Sequence, residues 1–288
     1  MDIKFHCSES SNFQHGYKVR TVTYKEYFIE MHNHDFYEMN IVLSGRGTHC
    51  IEDRRFSARR GDVFVIPPMV AHAYTDAEHL EVYHILFQKG FLYENRQESD
   101  QMKGFTQLTE IEPFLRSNVE NTFFLHLSNA QLHQMEMDRE ILDGDSAFPW
   151  EEFAPMKYHV AWKILYWFSA LLYDQTQTME KKQVNKYEVQ IIKVLEYIHQ
   201  NYGEKLSIDR LCAETYMSRA SFFRSFKGIC GMNPMEYVAQ YRCQKAMELQ
   251  DITDLSKTEI AHRCGFYDLS HMERVMKTTG KPYGQSIL

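Results

Sequence analysis

Apolar and polar side chains alternate along the first part of the chain, from about Tyr17 to Phe87. The runs "YKVRTVTY", "YEMNIVL", "THCIED" and "DVFVIP" show the two-residue period that is typical of half-buried strands. Glycines and prolines separate these runs and predict turns between them, at Gly45, Gly47, Gly61, Pro67 and Pro68. Many short strands at this spacing predict a β-sandwich or a β-barrel.

The pattern becomes helical from about Asn129. The stretches "LSNAQLHQMEMDREILDGD" and "PWEEFAPMKYHVAWKILYWFSALLYDQ" place apolar side chains at helix spacing. The polar run "TQTMEKKQVNK" follows, and we interpret residues 176–186 as a linker. The 288 residues therefore divide into a first domain of residues 1–175 and a helical second domain of residues 187–288.

The second of these helices carries a stripe of large apolar side chains. The stripe forms either a dimer interface or a packing surface against the strands, and the sequence leaves both open. The run "VAWKILYWFSALLY" is too short to span a membrane and contains Lys163, so we expect no membrane association. The stripe comprises Trp162, Tyr166, Trp167 and Leu171.

The cysteines and the N-terminus bear on the cellular compartment. The six cysteines form no C-x-x-C pair, and three of them lie in apolar helical contexts, where a free thiol acts as a small apolar group. The stretch "MDIKFHCSESSNFQHGYK" has no apolar signal core. We therefore expect the protein to work in a reducing cytoplasm.

An internal repeat occupies the helical second domain. The stretch "LSIDRLCAETYMSRASFFRSFK", from Leu206, aligns with "LSKTEIAHRCGFYDLSHMERVMK", from Leu255. Each copy predicts a short helix, a tight turn and a second helix, the helix-turn-helix arrangement whose second helix enters the major groove of DNA. A plain helical bundle with similar packing in both copies is the alternative, and the aligned Arg224 and Arg274 argue against it.

The two copies differ in their turns. Gly265 suits the left-handed backbone conformation that such a turn needs, whereas Tyr216 at the aligned position suits it less well. The second helices are expected to turn one apolar face inward, formed by Phe222 and Phe226 in the first copy and by Met272 and Met276 in the second.

The charge distribution agrees with DNA binding in the second domain. The net charge of the chain is −7, but residues 184–288 contain 14 Lys and Arg and 12 Asp and Glu. The remaining 18 basic and 27 acidic residues lie in the first 183, so the acidity belongs to the first domain. A nearly neutral second domain can present a basic face to DNA.

The stretches "LSIDRLC…YMSRASFFRSFKGICGMNPMEYVAQYRCQKAMELQ" and "DLSKTEIAHRCGFYDLSHMERVMKTTG" resemble the AraC/XylS family of bacterial transcription regulators. The resemblance covers about the last hundred residues. It implies two helix-turn-helix units joined by a linker helix, which bind two successive major-groove segments of double-stranded operator DNA, about 34 Å apart.

The resemblance also implies base-facing residues on both second helices. Arg224 is the foremost candidate because Arg pairs bidentately with guanine O6 and N7, and a phosphate contact or a solvated charge is the alternative. The full set of DNA-binding candidates is Arg219, Ala220, Phe223 and Arg224 on the first, and Leu269, Ser270, Glu273 and Arg274 on the second.

The C-terminal end departs from the family pattern. Met276 stands where the family usually has Phe, and the spacings around Gly280 and Pro282 are each one residue shorter than usual. The closing aromatic-Arg pair is missing as well. We therefore expect a shortened last helix and a less stable second unit.

The stretches "HNHDFYEMNIVLSGRG" and "GDVFVIPPMVAH" resemble the two motifs of cupin barrels. In combination with the second domain they resemble the sensor domain of sugar-responsive AraC regulators, including the rhamnose-type activators. The implied fold class is α+β, with an N-terminal cupin-like β-barrel and following helices. The C-terminal domain is all-α, with two helix-turn-helix units joined by a linker helix.

The cupin motifs fill four ligand positions, His32, His34, Glu38 and His72. These residues form a catalytic metal centre, line an effector pocket, or satisfy one another structurally. Three histidines and one carboxylate suit Zn, Mn, Fe or Ni, so a divalent metal is the alternative to a site without a cofactor. We favour the pocket, because fold resemblance alone does not carry catalysis.

Three tyrosines are candidates to stack on a sugar or to hydrogen-bond to it, and barrel core is the alternative for each. They are Tyr37, Tyr74 and Tyr83. Together these features predict a ligand-responsive transcription regulator rather than an enzyme.

We expect this regulator to activate a carbohydrate-use operon as a homodimer in the bacterial cytoplasm. Its expected partners are operator DNA, a sugar-like effector and RNA polymerase. A cupin metalloenzyme with a helical appendage is one alternative. A DNA-binding regulator whose barrel serves only to dimerise is the other.

Overall fold

The computed structural model describes residues 3, 5–13, 18–25, 29–94, 99, 101–118, 124–143, 150–181 and 186–279. The chain forms two compact units. The first contains residues 1–113 and 123–174, and the second contains residues 114–122 and 175–288.

A seven-stranded sheet forms the frame of the first unit. Its order is β1-β3-β7-β4-β5, with β2 paired to the far half of β7 and β6 paired to β4. Register shifts between Val42 and Thr48 bend the long strands, so that each half of β7 has different neighbours. The strands are β1 (Phe5–Cys7), β2 (Val19–Lys25), β3 (Ile29–His34), β4 (Tyr37–Ile51), β5 (Arg54–Arg59), β6 (Val63–Ile66) and β7 (His72–Phe87).

Helices cover one face of this sheet. Met39, Ile41 and Ile85 face the helices from the sheet, and Leu132 and Phe168 meet them from two of the helices in one buried apolar cluster. The strand-rich unit with its following helices confirms the cupin-like α+β fold. The helices are α1 (Glu9–Asn12), α2 (Lys89–Glu94), a π-helical turn (Gln107–Ile111), α3 (Glu112–Asn118), α4 (Asn129–Asp143) and α5 (Trp150–Lys181).

The aromatic stripe of α5 packs inside this unit. The Trp162 ring stacks at 5.0 Å on Phe91 and at 6.1 Å on Phe105. The stripe residues Trp162, Tyr166, Trp167 and Leu171 are partly buried against the apolar cluster. Of the two interpretations of the stripe, the structure therefore shows packing against the sheet, and a dimer interface on these side chains stays a prediction.

The second unit contains the two predicted helix-turn-helix copies. Phe222 and Phe226 are fully buried and Met272 nearly so, whereas Met276 is only partly buried. The second helix of each copy, which we call the recognition helix, thus turns the predicted apolar face inward. The end of this face is less buried in the second copy than in the first. The helices are α6 (Lys186–Asn201), α7 (Ile208–Ala213), α8 (Arg219–Cys230), α9 (Pro234–Ile252), α10 (Lys257–Arg263) and α11 (Leu269–Thr279).

The two helix-turn-helix turns use different chemistry. Gly265 has the left-handed backbone conformation, with φ of +75°, as predicted. Tyr216 has no positive φ, so its turn is not built in the same way. There the Thr215 hydroxyl donates to the carbonyl of Cys212 at 2.9 Å and accepts from the Met217 amide at 3.3 Å. A side-chain hydrogen-bonded turn replaces the glycine turn in the first copy.

Helix α5 continues through residues 176–181, the first part of the predicted linker. Residues 182–185 and the C-terminal end from residue 280, where the sequence departs from the family pattern, lie outside the described residues. In the described part of the chain, no helix combines the length and the apolar composition needed to cross a membrane.

Candidate functional site

Three strands bring the predicted barrel residues together. His32 and His34 lie two residues apart on β3 and share one face, and His32 is paired with His72 of β7. Glu38 lies near the start of β4, beside Leu86 of β7. All four side chains are buried.

The Glu38 carboxylate is the centre of the cluster. Its Oε2 lies 3.0 Å from Nε2 of His34, and its Oε1 lies 3.8 Å from Nε2 of His72. The His84 Nδ1–H donates to the same Oε1 at 2.6 Å. Three imidazoles from β3 and β7 therefore surround one carboxylate of β4.

Backbone carbonyls determine the tautomers of three histidines. Nδ1 of His32, His34 and His72 lies 3.0, 2.8 and 3.2 Å from the carbonyl oxygens of Glu30, Phe36 and Val70. A carbonyl oxygen only accepts, so each Nδ1 must donate, and a neutral His32 or His72 ring presents a lone pair at Nε2. Nε2 of His72 lies 3.8 Å from the Glu38 carboxylate, which is itself an acceptor.

Burial and neighbouring charge set the ionisation of the cluster. Burial on its own would raise the pKa of Glu38, but the charge of His84 and the hydrogen bond that His84 donates hold it well below its usual range. Burial, assisted by His32, lowers the pKa of His72 far below its usual value, and burial also lowers the pKa of His32. At neutral pH, Glu38 is therefore ionised, and His32 and His72 are neutral.

Three cluster residues were not predicted from the sequence. His84 contacts Glu38 directly, the Asn40 amide donates to the Tyr74 hydroxyl at 3.2 Å, and His49 stacks on the Tyr74 ring at 4.4 Å. In the described part of the chain, Nε2 of His72, Nε2 of His84 and Oδ1 of Asn40 are buried without a hydrogen-bond partner. Oδ1 of Asn40 and Nε2 of the neutral His72 can accept hydrogen bonds from a ligand.

The three predicted tyrosines lie on opposite faces of the sheet. Tyr74 lies in the cluster, but Tyr83 projects from the opposite face of the sheet, where its hydroxyl donates to Asp143 of α4 at 2.8 Å. Tyr37 packs against the same helix-covered face. The expectation that Tyr37 and Tyr83 share a pocket with the histidines is therefore wrong, because successive residues of a strand point to opposite faces.

The cluster geometry fits a divalent cation. His32, Glu38 and His72 each offer a ligand atom, and these atoms lie within 4.8 Å of one another. Histidine ligands of metals commonly donate their other ring N–H to a carbonyl, as His32 and His72 do here. His34, the fourth predicted ligand, contacts the other oxygen of the same carboxylate.

The recognition helices present the predicted DNA-binding residues at the surface. On α8, Arg219, Ala220 and Arg224 are exposed and Phe223 is half-buried. Arg219 lies 3.1 Å from Asp209 of α7, an exposed ion pair that contributes little. On α11, the exposed residues are Ser270, Glu273 and Arg274, and Leu269 is half-buried.

Arg224 and Arg274 have no ion-pair partner in the described part of the chain. Both guanidinium groups are thus free to contact DNA. Which bases they contact, like the roles of their neighbours, stays a prediction from the family resemblance.

Two family models match the chain. An AraC-like ligand binding domain matches residues 19–140, and a helix-turn-helix domain matches residues 211–281. The HTH-type transcriptional activator RhaS of Escherichia coli O81 is 22% identical over 246 residues, covering 85% of this chain and 82% of that protein. The RhaS activator of Pectobacterium atrosepticum is 26% identical and covers 83% of this chain and 80% of its own length.

Solved structures also resemble the chain. ToxT from Vibrio cholerae is 11% identical, with a TM-score of 0.36, and the match covers 91% of this chain and 94% of that one. The DNA-binding domain of AdpA in complex with a target DNA is 25% identical, with a TM-score of 0.31, over 33% of this chain and 86% of that one.

Proposed function

Because the chain belongs to the AraC family of transcription regulators, we propose that it activates genes for the use of a sugar when that sugar binds in its barrel. The relatives named RhaS activators support activation, with RNA polymerase as the partner. The two helix-turn-helix units bind double-stranded DNA, with α8 and α11 in two successive major grooves.

One observation supports a sugar as the effector. The barrel cluster gathers buried acceptors, the Glu38 carboxylate, Nε2 of His72 and Oδ1 of Asn40, with few donors to match them. A buried acceptor without a donor costs about 1–3 kcal/mol. A ligand with several hydroxyl donors and no negative charge supplies what the cluster lacks.

A neutral sugar has this chemistry. Its hydroxyls donate to the cluster acceptors, and its apolar face can lie against an aromatic ring such as Tyr74 or Phe36, which already stacks on His34 at 4.3 Å. Sugar binding then favours one arrangement of the regulator over another. The shift in populations is limited by the difference in affinity of the sugar for the two arrangements.

A divalent metal is the second candidate occupant. The ligand atoms of His32, Glu38 and His72 converge within 4.8 Å, and such an ion would neutralise the Glu38 carboxylate. Bound there, a metal offers open coordination positions to sugar hydroxyls. It would thus be part of a sensing site, and we propose no catalysis for the chain.

We further propose that the regulator acts as a homodimer in the bacterial cytoplasm, where its DNA lies. A dimer would set the spacing of the DNA half-sites. Light scattering across a range of protein concentrations tests the association. A monomer at every concentration would contradict this part of the proposal.

A thermal-shift screen of the full chain tests the effector proposal. The panel contains neutral mono- and disaccharides, divalent metals and a chelator. A ligand at a hundred times its dissociation constant stabilises the folded state by about 2.7 kcal/mol, which a melt detects. A shift with a sugar alone supports the metal-free pocket, and a fall with chelator that one metal restores supports the second candidate. No shift with any sugar, with or without metal, would contradict a sugar-binding barrel. Chemical turnover of a sugar, if it were abolished by the chelator, would contradict the absence of catalysis.

A further inference from the structure

Each helix-turn-helix turn presents one tyrosine to solvent. Tyr216, two residues before the N-cap Ser218 of α8, is 95% exposed. Tyr267, one residue before Asp268 at the start of α11, is 84% exposed. The two positions are not aligned with each other, since Tyr216 is aligned with Gly265, but each tyrosine lies in the turn that precedes the second helix of its copy.

The hydroxyls of these two residues differ from those of other tyrosines in this unit. The Tyr197 hydroxyl accepts from Arg210 at 2.8 Å, and the Tyr237 hydroxyl lies 2.7 Å from Nε2 of His199. In the part of the chain that the structure describes, the side chains of Tyr216 and Tyr267 make no such bond. Both hydroxyls are therefore available to a partner.

The backbone around both tyrosines is fixed. The Tyr267 amide donates to Nδ1 of His271 at 3.2 Å, one turn into α11. In the first copy, the Thr215 hydroxyl closes the turn on both sides of Tyr216, through Cys212 and Met217. Each tyrosine thus projects from a rigid turn, which reduces the entropy that a contact from it would lose.

The position of the turns identifies the partner. The N-terminal residues of a recognition helix meet base edges in the major groove, so the turn immediately before that helix lies against the phosphates that border the groove. Phosphates accept hydrogen bonds from tyrosine hydroxyls and have no donors of their own. We infer that Tyr216 and Tyr267 each donate a hydroxyl hydrogen bond to a DNA phosphate, one at each groove.

This inference rests on DNA binding by the two helix-turn-helix units and adds two positioning residues to them. Contacts to phosphates fix the register of the protein on the duplex and do not read its sequence. A neutral donor also releases no counterion of its own, unlike Arg or Lys. The tyrosines should therefore contribute affinity that depends on neither base sequence nor salt.

The test compares Tyr216→Phe and Tyr267→Phe in the full chain by fluorescence anisotropy with a mixed-sequence duplex that covers two adjacent major grooves. Each variant loses only a hydroxyl, and we expect each to bind about five-fold more weakly, with an unchanged slope of log affinity against log salt. The double variant should combine both losses. Tyr187→Phe is the matched control, because Tyr187 is 59% exposed on α6 outside the turns and should bind as wild type.

Three outcomes would overturn the inference. One is wild-type affinity in both turn variants while Arg224→Ala binds more weakly. Another is a loss that appears with one duplex sequence and not with another, which would make the tyrosines base-reading residues. The third is an equal loss in Tyr187→Phe. A wild-type chain that binds no duplex at any salt concentration would instead contradict DNA binding itself.

Discussion

Nδ1 of His84 donates a 2.6 Å hydrogen bond to the Glu38 carboxylate, although 46 residues separate the two in the chain. Asn40 is paired with His84 and Glu38 with Leu86, so Glu38 and His84 are diagonal neighbours on adjacent strands. The bond orients the carboxylate that the barrel histidines face. The negative charge of the proposed effector site therefore depends on a residue outside the H-x-H-x3-E motif.

Substituting His84 tests this dependence. His84→Phe removes the donor and leaves a buried carboxylate with one partner fewer, which should lower the free energy of unfolding by about 1–3 kcal/mol. His84→Asn places an amide N–H near the position of Nδ1 and should retain most of that stability. Urea unfolding measures both variants. Equal losses in the two would show that the hydrogen bond to Glu38 does not stabilise the fold.

The lowered pKa of His72 predicts a pH dependence of stability. The folded state keeps His72 neutral, whereas the unfolded chain takes up a proton as the pH falls through about 6.5. The unfolded state binds more protons, so the free energy of unfolding decreases from about pH 7 towards pH 5. Replacing His72 by Phe removes this contribution, and the variant should show a shallower decline in denaturant unfolding at each pH. Profiles of equal slope for wild type and His72→Phe would contradict the assignment of a neutral buried imidazole.

The ionised Glu38 predicts selection between sugars by charge. A neutral sugar that stabilises the protein should bind in calorimetry, and the uronic acid with the same hydroxyl pattern should not, because two carboxylates would then lie close together in a buried site. Glu38→Gln removes the repulsion and should reduce the discrimination. Equal affinity of wild type for the sugar and its acid would place the effector away from Glu38.

Arg224 is expected to read a base. In a duplex selected by the full chain from a random pool, Arg224→Ala should cost about 1–3 kcal/mol and relax the preference at one position. Lys227→Ala, three residues further along α8, should leave the base preference unchanged. Arg274→Ala should affect a second position, about one helical turn of DNA away. The recognition-helix assignment is wrong if both arginine variants bind the duplex like wild type.

Gly265 and Gly228 form a matched pair for the backbone of the second unit. A Cβ at Gly265 would lie 2.6 Å from the Tyr202 carbonyl oxygen, and its φ of +75° is unfavourable for any side chain. We expect Gly265→Ala to lower the free energy of unfolding by at least about 1 kcal/mol. Gly228 lies within α8 with nothing near its Cβ position, so Gly228→Ala should stabilise by about 0.5–1 kcal/mol. Thermal unfolding with opposite shifts for the two variants supports this account, and shifts of one sign contradict it.

The sequence predicted the architecture because both periodicities are strong. The alternation of the first domain and the duplicated helical pattern of the second both appear in the structure. The motif also brought His32, His34, Glu38 and His72 into one cluster, since two-residue spacing on a strand places side chains on one face. The different turn at Tyr216 was not predicted, because a side-chain hydrogen bond from Thr215 replaces the left-handed conformation there.

Strand parity explains the misplaced tyrosine and one missed residue. His72, Tyr74 and His84 are an even number of residues apart on β7 and face the cluster, whereas Tyr83 is odd and faces the helices. Alternation along β7 alone would therefore have placed His84 on the cluster face and Tyr83 on the face that the helices cover. His49 could not be found in this way, because the register shifts between Val42 and Thr48 of β4 move it to the face that alternation from Glu38 would not assign.

If sugar binding in the barrel controls the DNA-binding unit, the affinity of the chain for DNA must change when sugar is added. The full chain would be titrated into the duplex selected from a random pool, with and without the neutral sugar that raises its melting temperature. We expect a sugar-dependent change in Kd for wild type that is lost in His72→Phe, since a ligand acts only through its differential affinity for the two arrangements. The same Kd with and without a sugar that demonstrably binds would contradict it, and would leave the barrel without a sensing role.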